Sequence, residues 1–464
     1  MLELYPFQDK LVTQLRNAMA RGTRRVLLVS PTGSGKTVMF AYLVSRMAQK
    51  GVRSNIMVHR QELLEQVGDT LDKFDTPHGV IAASESFNPK PLTHVSSVFT
   101  LARRLDKAPA PAYVICDEFH HCIKGSTWAN CIDHWPDARV IGVTATPERL
   151  SGEGLGQMVD TMIIGPGVAE LMRDGYLCKY KMFAPPVPLD TSQLHMRGGD
   201  YKKDEAETLV NKPSITGNAV AHYRKYLNGA PAVAFCVSKK HAAQVAEDFR
   251  AAGFRSASID GTMKKPERRQ MVKDFGNGQL NVMTSCQLIN EGFDVPGMHG
   301  AILLNPTQSL ARYLQECGRT FRTAPNKEYA YLLDHVGNSA RHGLPCEERE
   351  WSLDSKKRKR GKRDPDDIAI RQCGFCGAVC GAAATKCIEC GQVFPVKPRT
   401  IREIEGELEE VKRVERKTAK MQQGRAKDFE ALVELGRMRG IRNPAYWARQ
   451  IMNWRNKKRA KAYG

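Results

Sequence analysis

The chain has 464 residues and a formal net charge of +20, with 42% hydrophobic and 26% charged residues, enough for two or three domains with full cores. No apolar run approaches the ~18 residues of a membrane span, so no membrane partner is expected. Residues 1–6 show no basic stretch followed by an apolar one, so no signal peptide is expected. The thirteen Cys are mostly isolated in apolar settings, such as Cys116, Cys236 and Cys286, which suits a reducing, cytoplasmic compartment.

In chain order, Phe7, Leu11, Val12, Leu15 and Met19 recur at helical spacing and predict an amphipathic helix closed near Gly22. Residues 26–29 are an apolar strand, followed by Ser30-Pro31-Thr32-Gly33-Ser34-Gly35-Lys36-Thr37 and a helix over 38–48. A strand feeding a Gly-rich turn into a helix is a phosphate cradle. Backbone N–H groups of Thr32, Gly33, Ser34 and Gly35 point at a β/γ-phosphate, Lys36 adds positive charge, and the Thr37 hydroxyl can ligate Mg²⁺. The strict pattern has Gly where this chain has Ser30. Short strands follow at 56–58, 95–99, 113–116 and 140–143. The third ends in Asp117-Glu118, at the strand end where ligands collect in an open parallel sheet. Asp117 is placed to hold Mg²⁺, and Glu118 to orient and deprotonate an attacking water.

The pattern restarts after Pro185-Pro186, with a strand at 232–237, a helix at 239–252, and strands at 256–259, 280–284, 301–304 and 329–334. Alternating β and α elements predict parallel, doubly wound sheets, the second without its own phosphate loop. About 25 residues around Met196-Arg197-Gly198-Gly199-Asp200-Tyr201 form a polar insertion whose role the sequence leaves open.

Charge concentrates towards the end of the chain. Residues 355–363 hold seven basic and no acidic side chains, and 397–464 hold nineteen basic and nine acidic, so +17 of the +20 lies there. This implies a polyanionic partner, nucleic acid first, with a solvated linker as the plain alternative for 355–363. Cys373, Cys376, Cys387 and Cys390 form two Cys-x-x-Cys knuckles followed by Gly377 and Gly391, a spacing that closes a tetrahedral Zn²⁺ site. Ile401, Ile404, Leu408 and Val411 predict an amphipathic helix. Trp447, Ile451 and Trp454 form a core-facing stripe, with Lys457, Lys458 and Arg459 free for phosphates.

The ordered motifs resemble those of superfamily 2 DExH-box helicases, within them the phage-type and RadD-like bacterial members. Motif I is Pro31 to Thr37, and motif II is Asp117-Glu118-Phe119-His120. Thr144-Ala145-Thr146-Pro147 resembles motif III, and Val58-His59-Arg60-Gln61-Glu62-Leu63 motif Ia. Thr284-Ser285 through Gly292-Phe293-Asp294-Val295-Pro296 is similar to motif V, and Gln315-Glu316-Cys317-Gly318-Arg319-Thr320-Phe321-Arg322 to motif VI.

The resemblance covers residues 1 to about 345. It implies two tandem RecA-like domains at 1–175 and 176–345, followed by a basic linker (346–369), a zinc ribbon (370–396) and a basic helical tail (397–464). It implies that Gln8 reads adenine and that Gly292 and Asp294 line the nucleotide site. Thr144 and Thr146 link hydrolysis to domain movement through His120, and Gln315 positions the γ-phosphate or water. Arg319 and Arg322, three apart on a helix and so facing the same way, act as arginine fingers. Arg60, Thr100, Gly261, Thr262 and Thr284 fall where the family contacts the nucleic-acid backbone. The expected activity is ATP- and Mg²⁺-dependent movement along, or unwinding of, single-stranded or branched DNA. A remodeller without strand separation and an RNA helicase are the alternatives.

Overall fold

The computed structural model describes residues 3–83, 85–148, 154–184, 189–211, 213–286, 297–354, 370–372, 379–381, 386, 393, 409–410, 428–438, 443–445, 448–449 and 451–452. The chain divides into two compact units, 1–357 with 403–411, and 358–402 with 412–464.

The first unit holds two seven-stranded sheets. Its first lobe runs α1 (Pro6–Ala20), β1 (Arg25–Val29), α2 (Lys36–Ala48), β2 (Ser54–Val58), α3 (Gln61–Asp72), β3 (His78–Ile81), β4 (Thr93–Ser97), α4 (Val98–Leu101), β5 (Tyr113–Asp117), α5 (Thr127–Asp133), β6 (Arg139–Thr144) and β7 (Thr161–Ile164). These strands pair in the order β3-β4-β2-β5-β6-β1-β7, every pair parallel. Helices cover both faces, so all five residues of β2 are buried and four of five in β5, the near-continuous apolar run of a parallel strand.

The second lobe follows as α6 (Val168–Arg173), β8 (Lys179–Ala184), the hairpin β9 (Met196–Arg197) and β10 (Asp200–Tyr201), α7 (Lys203–Val210), α8 (Pro213–Tyr226), β11 (Ala232–Phe235), α9 (Lys239–Ala251), β12 (Ser256–Ile259), α10 (Lys265–Gly276), β13 (Val282–Ser285), β14 (Gly300–Leu303), α11 (Leu310–Gly318), β15 (Tyr329–Asp334) and α12 (Asn338–His342). With Glu409–Glu410 as an edge strand, its sheet runs β12-β13-β11-β14-β15-β8 and then that edge, which alone is antiparallel. Both sheets are doubly wound and RecA-like, as the motifs implied.

Four expectations change. Strands β3, β7 and β8 were not foreseen. The strand expected at 95–99 ends at Ser97, and Phe99 stands in α4 with 56% of its surface exposed. Glu409–Glu410 pair with Phe183 and Ala184 of β8 instead of continuing a helix, because the edge of β8 supplies backbone partners; Ile401, Ile404, Leu408 and Val411 lie outside the described residues. The polar insertion is a docked element. Asp200 accepts hydrogen bonds from Thr307 Oγ1 (2.7 Å), Gln308 N (2.8 Å) and Arg312 NH1 (3.0 Å), which ties the hairpin to the start of α11.

The lobes are stitched by charge between α3 and α10. Arg268 meets Glu62 at 2.6 Å, and Glu65 takes both Lys265 and Arg269. Burial pushes the Glu65 carboxyl up, but the hydrogen bonds from Lys265 and Arg269 outweigh it and hold it below the usual range.

In the second unit, β16 (Ile370–Gln372) and β17 (Val379–Gly381) are antiparallel, and Lys386 bridges Val393. Leu432, Leu435, Ala448 and Ile451 form a small core, so Ile451 is packed as its spacing predicted. Trp447 and Trp454 lie outside the described residues.

Candidate active site

The phosphate loop occupies the carboxyl end of β1. Gly33 (φ +89°) and Gly35 (φ +79°) sit in left-handed backbone that other residues adopt at a penalty, and Gly35 caps α2. Ser30, where Gly is usual, is fitted: its N–H donates to Thr144 O (3.0 Å) and its hydroxyl to Ser34 Oγ (2.7 Å). Lys36 opens α2, and its Nζ donates to Pro31 O across the loop (3.2 Å). Burial lowers the Lys36 pKa, and Arg319 and Arg322 push the same way, while Glu118 and Asp117 oppose them. Those four charges therefore surround one ammonium. Thr32, Gly33, Ser34, Gly35 and Thr37 complete the loop and first turn.

Sheet register aligns the second carboxylate element with the loop. Val29 sits opposite Thr144, and Val143 opposite Asp117, so the ends of β1, β6 and β5 stand side by side. Burial drives the Asp117 carboxyl up to about 6, helped by the neighbouring Glu118 charge and opposed by Lys36. Glu118 is buried and left-handed (φ +51°, ψ 52°), a conformation costing a non-Gly residue about 1–2 kcal/mol. A 3₁₀ turn, Phe119–His121, follows, with Phe119 wedged over Gly142 where any Cβ would clash at 2.5 Å. His120 Nδ1 lies 3.4 Å from Glu118 Oε2 and 3.1 Å from Thr144 Oγ1, and Thr144 Oγ1 in turn donates to Thr146 O (3.1 Å). The expected His120–Thr144 connection is therefore present.

The second lobe closes the site from across the cleft. A Cβ on Gly318 would stand 2.6 Å from the Thr32 Cβ, and one on Gly33 would stand 3.9 Å from Arg322 Cγ, so motif VI rests on the phosphate loop. The two arginines are not on one α-helical face. α11 ends at Gly318, Arg319 opens a 3₁₀ turn (Arg319–Phe321), and Arg322 is extended (φ −64°, ψ 137°). Gln315 is buried in the last turn of α11.

Gln8 is buried under the loop. Its Nε2 donates to Ser34 O (2.8 Å) and its Oε1 accepts from Tyr5 N (2.9 Å), so its amide braces the loop. Beside it, Tyr5 and Phe7 each pack on Tyr176, at 4.9 and 4.8 Å between centroids. Sequence reasoning missed Tyr176. It missed Lys327 too, whose Nζ donates to Met298 O (2.7 Å), to Arg322 O (2.8 Å) and to Thr320 O, tying down the arginine turn.

Of the expected backbone contacts, Arg60 is the N-cap of α3, Thr100 lies in α4, and Gly261 and Thr262 are exposed before α10. Thr284 is a correction: it is fully buried and its hydroxyl donates to Ala242 O (2.7 Å), so it packs within the sheet. Gly292, Asp294, Cys373, Cys376, Cys387 and Cys390 lie outside the described residues. Among the described residues, no cluster of three or more His, Cys, Asp or Glu is arranged to hold a metal, and no helix is long and apolar enough to cross a membrane.

Similarity to known proteins gives the family. Residues 1–149 match the family model of the type III restriction enzyme res subunit, and 217–324 that of the helicase conserved C-terminal domain. The 51.5 kDa protein of Lactococcus phage (isolate 7-9) is 32% identical over 388 residues, covering 82% of this chain and 81% of its own. A Saccharomyces cerevisiae protein, "Putative ATP-dependent helicase IRC3", is 27% identical over 358 residues, 73% of this chain and 52% of its own length. The chain thus spans about half of that relative. The DUF1998 helicase MrfA, solved bound to DNA, shares the fold at a TM-score of 0.52 and 15% identity, over 72% of this chain and 46% of its own. A phosphate loop facing paired carboxylates and a second-lobe arginine turn define a two-lobed nucleotide hydrolase. The chain belongs to the superfamily 2 helicases, ATP-hydrolysing enzymes that act on nucleic acid.

Proposed function

We propose that the enzyme is a DNA helicase or translocase in which ATP is held by the first lobe and its hydrolysis is completed by the second. The contact of Gly318 and Arg322 with the phosphate loop carries this reading, since it sets groups from both lobes around Lys36. Lys36 and the loop N–H groups cradle the phosphates. Thr37 and Asp117 would hold Mg²⁺, since a hydroxyl and a buried carboxylate are the oxygen donors a hard cation takes. Mg²⁺ neutralises phosphate charge when bound. Glu118 orients and deprotonates the attacking water, Gln315 helps position it, and Arg319 and Arg322 stabilise charge spread over the transferred phosphoryl group. Tyr5, Phe7 and Tyr176 offer an apolar wall for adenine next to Gln8.

Arg60, Thr100, Gly261 and Thr262 suit backbone phosphates, which fix position without reading sequence. The basic segments at 355–363 and 397–464 add counterion-release affinity. Zinc is proposed at Cys373, Cys376, Cys387 and Cys390. In sequence the first pair falls between Gln372 and Val379, which pair antiparallel, and the second between Lys386 and Val393, which also do. Two Cys-x-x-Cys pairs, each flanked in sequence by residues that pair antiparallel, fit a structural Zn²⁺, which would supply folding energy. Metal analysis of the Cys373→Ser/Cys376→Ser variant should show zinc lost relative to the parent.

The function is tested by ATPase rates on single-stranded, duplex and forked DNA and on RNA, with strand displacement measured in parallel. Stimulation by single-stranded or forked DNA above RNA is expected. Stimulation by RNA alone would overturn the DNA assignment, and DNA stimulation without displacement would leave a translocase.

A further inference from the structure

Three imidazoles join the start of α3 to the catalytic carboxylate. β2 and β5 are neighbours in register, with Met57 opposite Cys116, so the chain leaving β2 and the chain leaving β5 emerge side by side. His59 follows β2, and His120 and His121 belong to the turn after β5. The His59 and His121 rings lie 5.0 Å apart between centroids, and the His121 and His120 rings 4.3 Å apart, both tilted. These are contact distances for stacked or tilted rings, so one ring cannot reorient without displacing the next. At one end Arg60 Nε donates to His59 Nε2 (3.2 Å). At the other, His120 Nδ1 reaches Thr144 Oγ1 and Glu118 Oε2.

The floor beneath the series is rigid. Phe119 is fully buried against Gly142 and leaves the 3₁₀ turn little freedom as a body, while the His120 and His121 side chains are half-buried. Glu118 is held in left-handed backbone at the head of that turn, a strained position whose carboxylate orientation depends on its neighbours.

We propose that His59 and His121 are positioning residues that transmit the seating of a strand phosphate at Arg60, through His120, to the orientation of Glu118. The inference rests on Arg60 being a backbone contact. A phosphate oxygen is a stronger partner for the guanidinium than an imidazole nitrogen. Binding draws Arg60 away from His59, the His59 ring follows, and His121 and His120 shift in contact, resetting His120 between Thr144 and Glu118. A relay that acts through ring contact changes the response to nucleic acid, so its loss is read against basal kcat and the KM for ATP.

The test uses the full chain and measures ATPase kcat and KM without nucleic acid and at saturating thymidine oligonucleotide, with a uridine oligoribonucleotide in parallel. For His59→Leu and His121→Leu, stimulation at saturation should fall about fivefold or more, the lower range of ordinary site-to-site coupling. Basal kcat, the KM for ATP and oligonucleotide affinity should stay near the parent. His121→Phe keeps the ring and should restore most of the stimulation. Normal stimulation in both Leu variants overturns the relay, as does a basal rate that falls in parallel with the stimulated one, which would make the rings plain packing. Arg60→Ala separates the two layers. If it weakens oligonucleotide binding while the His variants respond normally, the relay alone fails. If it binds and responds like the parent, the phosphate contact is wrong and the relay loses its entry point.

Discussion

The two lobes share one architecture and divide the chemistry unequally. In the first, function sits at strand ends: the phosphate loop after β1, Asp117-Glu118 after β5, and Thr144 at the end of β6. In the second, the corresponding strand ends carry no phosphate loop, and the contribution to the nucleotide comes from the end of α11 and the turn beyond it. A parallel doubly wound sheet thus supplies a platform, and what is grafted on it decides whether a lobe binds substrate or responds to it. On the proposal above the first lobe holds ATP and the second completes its hydrolysis, and the variants below separate those duties.

The largest effect within the first lobe is expected at the general base. Glu118→Gln should lower turnover by about 10³-fold while ATP still binds, as measured by steady-state ATPase against a fluorescent-nucleotide titration. Asp117→Asn tests the same strand end through stability. Because the folded-state pKa of Asp117 is raised to about 6, the stability it contributes is complete below its unfolded value and is lost as pH rises through about 6. At pH 8 the charged carboxylate therefore burdens the fold by something on the order of 2–3 kcal/mol. Asp117→Asn should melt higher than the parent at pH 8 in EDTA, with the gain gone by about pH 4, although turnover is abolished. Equal melting at both pH values would contradict the buried-charge account.

In the second lobe, Lys327→Met removes the donor to three carbonyls under the arginine turn. Loss of those bonds should lower stability by about 2 kcal/mol, and misplacement of Arg322 should lower turnover by about tenfold, with ATP affinity little changed. The smallest effect is expected where the lobes are stitched. Glu65→Gln loosens exposed pairs with Lys265 and Arg269, worth about 0–1 kcal/mol, and the difference in melting should vanish in 1 M salt.

Most of the first lobe's chemistry was legible in the chain, because motif I and motif II place their side chains by local geometry: a Gly-rich turn and a strand end need no distant partner. The long apolar strands were legible for the same reason. What escaped depends on partners remote in sequence. β3 has four residues and β8 opens on Lys179-Tyr180-Lys181, so neither carries a continuous apolar run, and they exist as strands because β4 and β15 offer edges to pair with. Thr284 looked like a surface contact until the sheet buried it beneath α9. Lys327 has no motif at all, since its partners are backbone carbonyls at Met298, Thr320 and Arg322, and carbonyls leave no mark in a sequence. Spacing brought Arg319 and Arg322 to one site but misjudged how, because a 3₁₀ turn after Gly318 replaces the helical face.

The division of labour between lobes is tested most directly by Arg322→Ala, comparing kcat with the equilibrium Kd for Mg-ATP. If the second lobe acts on the charge that develops during phosphoryl transfer, kcat falls by about 10³-fold while Kd stays within about threefold of the parent. A rise in Kd as large as the loss of turnover would contradict this, and would make Arg322 part of the binding site in the ground state.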